Sequence, residues 1–159
     1  MPLTLPVQSD LPDPYCVVVP GVSIPLPAAL TVSVSRLRAD PDLRSAGSSG
    51  VDYLAHGIPG VDVLVCNVTI SWHVDSDVPP YVALYVVRND GGSYVEAEGV
   101  LVVPDQPPGT LVLLGSRQAH RLWHPAGVEA PDRVWAAVAL DFHSPPTPEQ
   151  AVEAIRAKF

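Results

Sequence analysis

VDVLVCNVTISWHVD, residues 61–75, is the stretch on which the fold of this chain turns. It is rich in Val and Ile, side chains that suit the pleated surface of a strand. Successive side chains of a strand point to opposite faces. The even positions of 62–74, namely Leu64, Cys66, Val68, Ile70, Trp72 and Val74, are almost all apolar. The odd positions from 67 onward are Asn67, Thr69, Ser71, His73 and Asp75, all polar. That polar face carries neither Lys nor Glu, so it reads as a face lining a wet cavity rather than one turned to bulk solvent. At its end His73-x-Asp75 sets an imidazole and a carboxylate side by side, a pair able to hold a divalent metal.

A third ligand has to come from another part of the chain. His120 follows Asp75 by 45 residues, just past an apolar run, and Arg133 follows 13 residues later. Two histidines and one carboxylate, with coordination positions left open, are the ligand set of non-haem Fe(II) oxygenases. His124 is the rival for the third position; it precedes Pro125 in what reads as turning chain. His56 and His143 have no such context and read as surface or capping residues.

Outward from this stretch, strands are expected at about 61–75, 81–88, 93–103, 110–115 and 133–142. Val78-Pro79-Pro80, Asn89-Asp90-Gly91-Gly92 and the segment 104–109 separate them, and Asp90-Gly91 is a hairpin signal. Residues 15–24 read as a strand broken at Pro20-Gly21, while 28–38 fits a helix start or a strand equally well. Residues 39–60, with their Gly, Ser and Pro, are expected to form a long loop that closes over a site. Thr147-Pro148-Glu149-Gln150 supplies an N-cap, a Pro at the first helical position and a capping-box Gln, so a helix should run to Ala157. On strand 133–142, Arg133 shares a face with Trp135, Ala137 and Ala139, whose small side chains leave room beside the guanidinium. Two sheets enclosing such a cavity imply a mainly β fold, a double-stranded β-helix or jelly roll with a short C-terminal helix. The expected organisation is a single domain, 1–159: N-terminal strands and loop at 1–60, a metal-binding core at 61–142 and the helix at 147–158.

Composition narrows the function classes. Nineteen Pro and eleven Gly punctuate short apolar runs, as in a protein of many strands and turns. A net charge of -8 disfavours nucleic acid as a partner. No apolar stretch is long enough to span a bilayer, and residues 1–10 lack the features of a secretory signal. Cys16 and Cys66 form no C-x-x-C motif; both read as buried thiols in a reducing, cytoplasmic setting. There is no nucleophile elbow and no phosphate-binding glycine loop. Glu96 and Glu98 share a strand face, but alternating glutamates more often mark a solvated surface than a two-carboxylate hydrolase.

The order of these elements resembles the Fe(II)/2-oxoglutarate-dependent dioxygenases, and within them the prolyl-hydroxylase-like branch. The matching features are His73-x-Asp75, the Gly109-Thr-Leu-Val-Leu-Leu strand, Ser116-Arg117-Gln118-Ala119-His120 and Arg133 on the last strand, together spanning about 61–142. The resemblance implies that His73, Asp75 and His120 ligate Fe(II) and that Arg133 pairs with the distal carboxylate of 2-oxoglutarate. A planar guanidinium suits that bidentate bond better than an ammonium. The family often places a Tyr on the strand after His-x-Asp to bond the co-substrate; Tyr81 and Tyr85 share a face there, and Tyr85 is the choice. The chain departs from the family in its longer His120-to-Arg133 interval, with 125–132 as the insertion, and in its lack of recognisable buttressing helices. The implied activity is hydroxylation of a small-molecule or peptidyl substrate with O2 and 2-oxoglutarate, in a protein that needs neither nucleic acid nor membrane and is compatible with a homodimer. Arg133-Val-Trp135-Ala lacks the Asn and Arg expected of a DNA-repair demethylase. Two other classes stay open: a cupin-like metal enzyme without 2-oxoglutarate, in which Arg133 is structural, and a non-enzymatic jelly-roll module.

Overall fold

The computed structural model describes residues 15–25, 39, 44–46, 51–54, 59–66, 69–75, 79–89, 94–97, 102–103, 106–123 and 133–159. The strands are β1 (Cys16–Val19), β2 (Arg44–Ala46), β3 (Val51–Leu54), β4 (Asp62–Cys66), β5 (Ile70–His73), β6 (Tyr81–Asn89), β7 (Tyr94–Ala97), β8 (Val102–Val103), β9 (Leu111–Gly115), β10 (His120–Trp123) and β11 (Arg133–Leu140), followed by a C-terminal helix, Pro148–Arg156. They form a seven-stranded sheet in the order β1-β9-β6-β11-β4-β3-β2 and a four-stranded sheet in the order β5-β10-β7-β8. From β4 to β11 the chain steps repeatedly between the two sheets, and every pairing is antiparallel. This winding of eight strands into two facing sheets is the jelly roll expected from the sequence.

The stretch 61–75 is two strands rather than one. β4 belongs to the larger sheet and β5 to the smaller. A continuous strand of that length would run about 50 Å, far beyond the usual strand of 3–10 residues. The faces differ accordingly. Val61, Val63 and Val65 are buried in one core while Leu64 packs into the other, so β4 is apolar on both sides, as a central strand should be. In β5 the single-period reading fails for another reason. His120 pairs with His73 but Leu122 pairs with Ile70, so β5 carries one more residue than β10 between the two pairings. The bulge turns His73 to the same side as Ile70 despite their odd spacing.

Three further expectations are corrected by the topology. Residues 39–60 hold β2 and β3, an antiparallel pair that extends the larger sheet at the edge of β4, with Val51 opposite Cys66. Pairing the exposed edge of β4 outweighs the Gly and Ser content of the segment. Asp90-Gly91 lies outside the described residues, and the strands it was expected to join as a hairpin, β6 and β7, lie in different sheets. The expected strand 93–103 is instead a hairpin, β7 against β8. The segment 28–38 lies outside the described residues.

The larger sheet is covered on both faces. Its outer face carries Val63, Val65, Tyr81, Ala83, Tyr85, Leu111, Leu113, Val134, Ala136, Val138 and Leu140, sealed by Val22 and Ile24 and by Ala151 and Ile155 of the helix. The helix forms as read: Thr147 caps it, Gln150 closes the capping box and Pro148 occupies the first turn. Its inner face carries Val112, Leu114 and Trp135, which pack against Val95, Ala97 and Leu122 of the smaller sheet. Gly109, at φ 92°, turns the chain into β9; an added side chain there would meet the Val22 carbonyl, 3.4 Å away.

β1 is the edge strand beside β9. Burial pushes the Cys16 thiol up to about 11, and burial with the neighbouring Tyr81 and Cys16 pushes the Tyr15 hydroxyl up to about 12. The folded state therefore favours the neutral thiol. That contribution is complete below the ordinary thiol value of 9.0 and is lost as pH rises from there through about 11. At pH 8 the folded protein should leave Cys16 largely unmodified by iodoacetamide, with full labelling in denaturant, as read by peptide mass spectrometry. Equally fast labelling in both states would contradict this placement.

Candidate metal centre

The centre is built where the two sheets face each other at the start of β10. His120 and Leu122 share a face of β10, and Leu122 lies in the core between the sheets, so His120 faces the same cleft. His73, paired with His120 across the strands, faces it too. The imidazole centroids are 4.3 Å apart and tilted by 58°. Asp75 follows β5 immediately, and its backbone N–H donates to Ser116 O at 2.7 Å, which fixes it beside the β9–β10 turn. Ser116 completes that brace: its hydroxyl donates to Pro79 O at 2.6 Å and its N–H to Pro80 O at 2.8 Å.

Three ligand atoms converge there. His120 Nε2 lies 3.3 Å from Asp75 Oδ2, and His73 Nε2 lies 3.9 Å from Asp75 Oδ1. The donor atoms of all three residues fall within 4.8 Å of one another. Ligand atoms that share an ion at about 2.1 Å stand about 3–3.5 Å apart. The Asp75–His120 pair already has that spacing, and His73, the more exposed imidazole, is the ligand left to close in. The contact with His120 and the nearness of His73, opposed by partial burial, hold the Asp75 carboxyl below its usual range. The carboxylate is therefore ionised and ready for a cation at neutral pH.

Both imidazoles are oriented by the same device. His73 Nδ1 bonds Ser71 O, and His120 Nδ1 bonds Gln118 O, each at 2.7 Å and each two residues upstream. A carbonyl can only accept, so Nδ1 carries the proton and each Nε2 lone pair is directed at the shared point. Gln118 is itself buried, and its Oε1 accepts the Tyr15 N–H at 2.8 Å, tying the His120 support to the residue that leads into β1. Gln118→Ala keeps the carbonyl that orients His120 but cuts the side-chain tie to Tyr15, and should weaken divalent-metal binding by no more than about tenfold, the low end for outer-shell losses. Calorimetric titration of the purified variant checks this; unchanged affinity would show that the tie to Tyr15 does not support the site.

Arg133 opens β11 on its inner face and is 1% exposed. Its guanidinium carbon lies 5.0 Å from the centroid of Trp135, and Trp135 packs in the same cluster as Leu122, two residues beyond His120. β10 covers about 10 Å from His120 to Trp123 at a strand's rise. Arg133 Nη2 donates to Gln106 Oε1, and Asn89 Nδ2 donates to the Gln106 carbonyl at 3.1 Å.

Tyr85 is a correction. It lies on the outer face of β6, in the core beneath the helix, and its hydroxyl donates to Val22 O at 2.9 Å. The period-two alternation that pairs it with Tyr81 puts both away from the cleft; Val82, Leu84 and Val86 face inward instead. His56, His124 and Glu98 lie outside the described residues, and His143 is exposed. Arg121 faces away from the centre. It bonds Glu96 on β7 and stacks between Trp72 and Trp123, at 5.0 and 5.5 Å to their centroids. This pairing also removes Glu96 from any two-carboxylate reading. Gln106, Gln118 and Asn89 were not singled out from sequence. Only Gln118 left a signal, its two-residue offset from His120 matching that of Ser71 from His73.

No protein-family model matches the chain, and no curated protein matches its sequence. Solved structures do. The non-haem α-ketoglutarate-dependent epimerase SnoN from nogalamycin biosynthesis aligns at TM-score 0.53 and 17% identity, over 79% of this chain and 78% of that one. A 2OG-Fe(II) oxygenase family oxidoreductase from Burkholderia pseudomallei aligns at 0.41 and 12%, over 78% and 82%. A cupin-like protein from Thermotoga maritima aligns at 0.40 and 17%, over 72% and 96%. At these identities the likeness is one of fold, and the SnoN alignment agrees with the two-sheet winding described above. No helix among the described residues is long and apolar enough to cross a membrane.

Proposed function

We propose that this chain is an Fe(II)- and 2-oxoglutarate-dependent oxygenase of the prolyl-hydroxylase-like branch, acting on a small-molecule or peptidyl C–H bond. The observation that carries this reading is the convergence of His73, Asp75 and His120 on one point, with both Nε2 lone pairs aimed there by backbone carbonyls. This donor set, two imidazoles and a carboxylate, suits Fe(II) and leaves half an octahedral sphere open. When bound, the iron and the oxoacid together supply the oxidising power that turns O2 against a C–H bond.

The chain's own residues divide the remaining work. His73 and Asp75 have side chains 36% and 43% exposed while His120 is 10% exposed, so the centre opens to solvent on the β5 side and is closed on the β10 side. Substrate enters from the open side. Arg133, buried between the sheets beyond Leu122, supplies the cation for a distal carboxylate reaching inward, and the apolar wall of Val112, Leu114, Leu122 and Trp135 excludes water from that end. SnoN is described as an epimerase, so the fate of the substrate C–H bond is assayed for both hydroxylation and inversion.

One observation favours a second reading, the cupin-like metal enzyme: Arg133 already donates to Gln106 and stacks on Trp135, as a structural arginine would. Anaerobic titration with Fe(II) and then 2-oxoglutarate separates the two. A weak visible charge-transfer band that appears in the wild type and is lost in Arg133→Ala supports the oxygenase. Metal binding without any band supports the cupin-like enzyme.

A further inference from the structure

We infer that the edge of β1 and the groove beside it form a two-fold interface at which a second copy of this chain docks, strand to strand and helix to helix. The larger sheet ends at β1, which pairs with β9 on one side and with no described strand on the other. An edge of this kind presents a row of N–H and C=O groups able to take an added strand, and folded proteins commonly blunt it with Lys, Pro or a bulge. β1 has none of these. Its sequence is Cys16-Val17-Val18-Val19, and its register against β9 runs without a shift. Val18 is 40% exposed, and it is the exposed large apolar side chain among the described residues. The helix adds a groove to this edge, a cavity of about 380 Å³ lined by Val19, Pro148, Glu149, Val152, Glu153 and Arg156.

Charge identifies the occupant. Pro148, Val152 and Arg156 stand one helical turn apart, as do Glu149 and Glu153, so one stripe of the helix lines the groove. Ala151 and Ile155 hold another side of the helix against the sheet. The stripe is acidic at Glu149 and Glu153 and basic at Arg156, and no ion pair among the described residues engages any of the three. Strand and helix run in the same sense. The Tyr15 hydroxyl, just before β1, donates to Pro146 O just before the helix, and Arg156 Nε, at the helix end, donates to Ser23 O beyond the strand. At about 3.3 Å per strand residue and about 1.5 Å per helical residue, the midpoint of β1 stands level with the middle of the helix. A single two-fold axis at that level therefore serves both elements. It pairs β1 antiparallel with its copy and lays the two helices antiparallel, with Glu149 beside the partner's Arg156 and Val152 near the axis. A second copy brings the complementary charges by symmetry, as an isologous interface requires. An unrelated strand would have to bring a matching helix of its own.

Sedimentation equilibrium of the purified full chain tests this. The wild type should be a dimer at micromolar concentration. Val18→Lys puts a charge on the edge and should weaken the dimer by about a hundredfold or more. The fold should survive because Val18 is exposed, as read by matching melts at a dilution where both proteins are monomeric. Arg156→Glu and Glu149→Arg should each weaken the dimer by about tenfold, and more at low ionic strength than at high. The double reversal, Glu149→Arg with Arg156→Glu, should recover association to within about threefold of the wild type, which a mere loss of helix stability would not do. A wild type still monomeric at about 100 μM overturns the inference, the edge then being covered by the chain itself or kept for a partner of another kind. Assemblies that keep growing with concentration mean a head-to-tail contact and overturn the two-fold geometry. A dimer that Val18→Lys leaves intact, or whose double reversal associates no better than the single variants, overturns it as well.

Discussion

Asp75→Ala should lower Fe(II) affinity by more than about a hundredfold and abolish metal-induced stabilisation while leaving the sandwich folded. The magnitude follows from the division of labour at the centre. Loss of an outer-shell partner alone typically costs 10–100-fold, and Asp75 supplies the negative charge that two neutral imidazoles need to hold a divalent ion. The fold should survive because the contact that anchors this residue is its backbone N–H to Ser116 O, which the substitution keeps, and the carboxylate itself is half-exposed. In the wild type, Fe(II) at a hundred times its dissociation constant adds about 2.7 kcal/mol. For a chain of 159 residues that corresponds to a rise in melting temperature of about 5–10 °C. Anaerobic thermal melts with and without Fe(II) read this directly. The rise should be absent in Asp75→Ala and in His120→Ala, and the apo melting temperatures should differ little. A metal-dependent rise that persists in Asp75→Ala would place the bound ion elsewhere.

The site was more legible in the sequence than the path of the strands that build it. His73-x-Asp75 needs only two neighbours on one side of the chain, and a spacing of two provides that whatever the wider register. The extended reading of 61–75 failed because it treated one alternation as continuous. Composition cannot show where a chain leaves one sheet for the other, since no Gly or Pro interrupts the run that carries β4 and β5. Nor can it show a bulge, because the extra residue in β5 is defined by its partner β10 and not by any residue type. Tyr85 failed for a related reason. Alternation established that it shares a face with Tyr81 but not which face, and the outer one was decided by the apolar cover of Val22, Ile24, Ala151 and Ile155. The helix, by contrast, was legible almost to the residue, because Thr147, Pro148 and Gln150 act within a single turn and need no tertiary partner.

Gln106 and Gln118 show what a single sequence conceals. Each is a buried amide whose role depends on a strand far away in the chain: Gln118 on the residue that leads into β1, Gln106 on β6 and β11. An amide in a turn or loop reads as a solvated side chain until its burial is known. Together they place a support behind each half of the proposed chemistry, one behind a metal ligand and the other behind the arginine.

Arg133→Met should separate those halves. The substitution replaces a buried guanidinium by an apolar side chain of similar reach, and such exchanges are often neutral for stability once the desolvation of the charge is counted. It leaves Gln106 Oε1 without the donor it now has, a cost of about 1–3 kcal/mol that should appear as a modest fall in melting temperature. Fe(II) affinity should be unchanged, because Arg133 takes no part in the Asp75–His120–His73 cluster. Binding of 2-oxoglutarate to the Fe(II)-loaded protein should fall by about 100-fold or more, the equivalent of about 3 kcal/mol for a desolvated, charge-assisted pair of bonds. Arg133→Lys should recover little of this, since an ammonium offers neither the fork that matches a carboxylate nor the flat face that stacks on Trp135. Set beside Asp75→Ala, which removes metal and oxoacid binding together, the pair of variants orders the two events: the ion first, at the mouth of the cleft, then the carboxylate at its inner end. Undiminished 2-oxoglutarate affinity in Arg133→Met, with the loss confined to stability, would make Arg133 a strut between Gln106 and Trp135 and leave the chain a metal enzyme of the cupin-like kind.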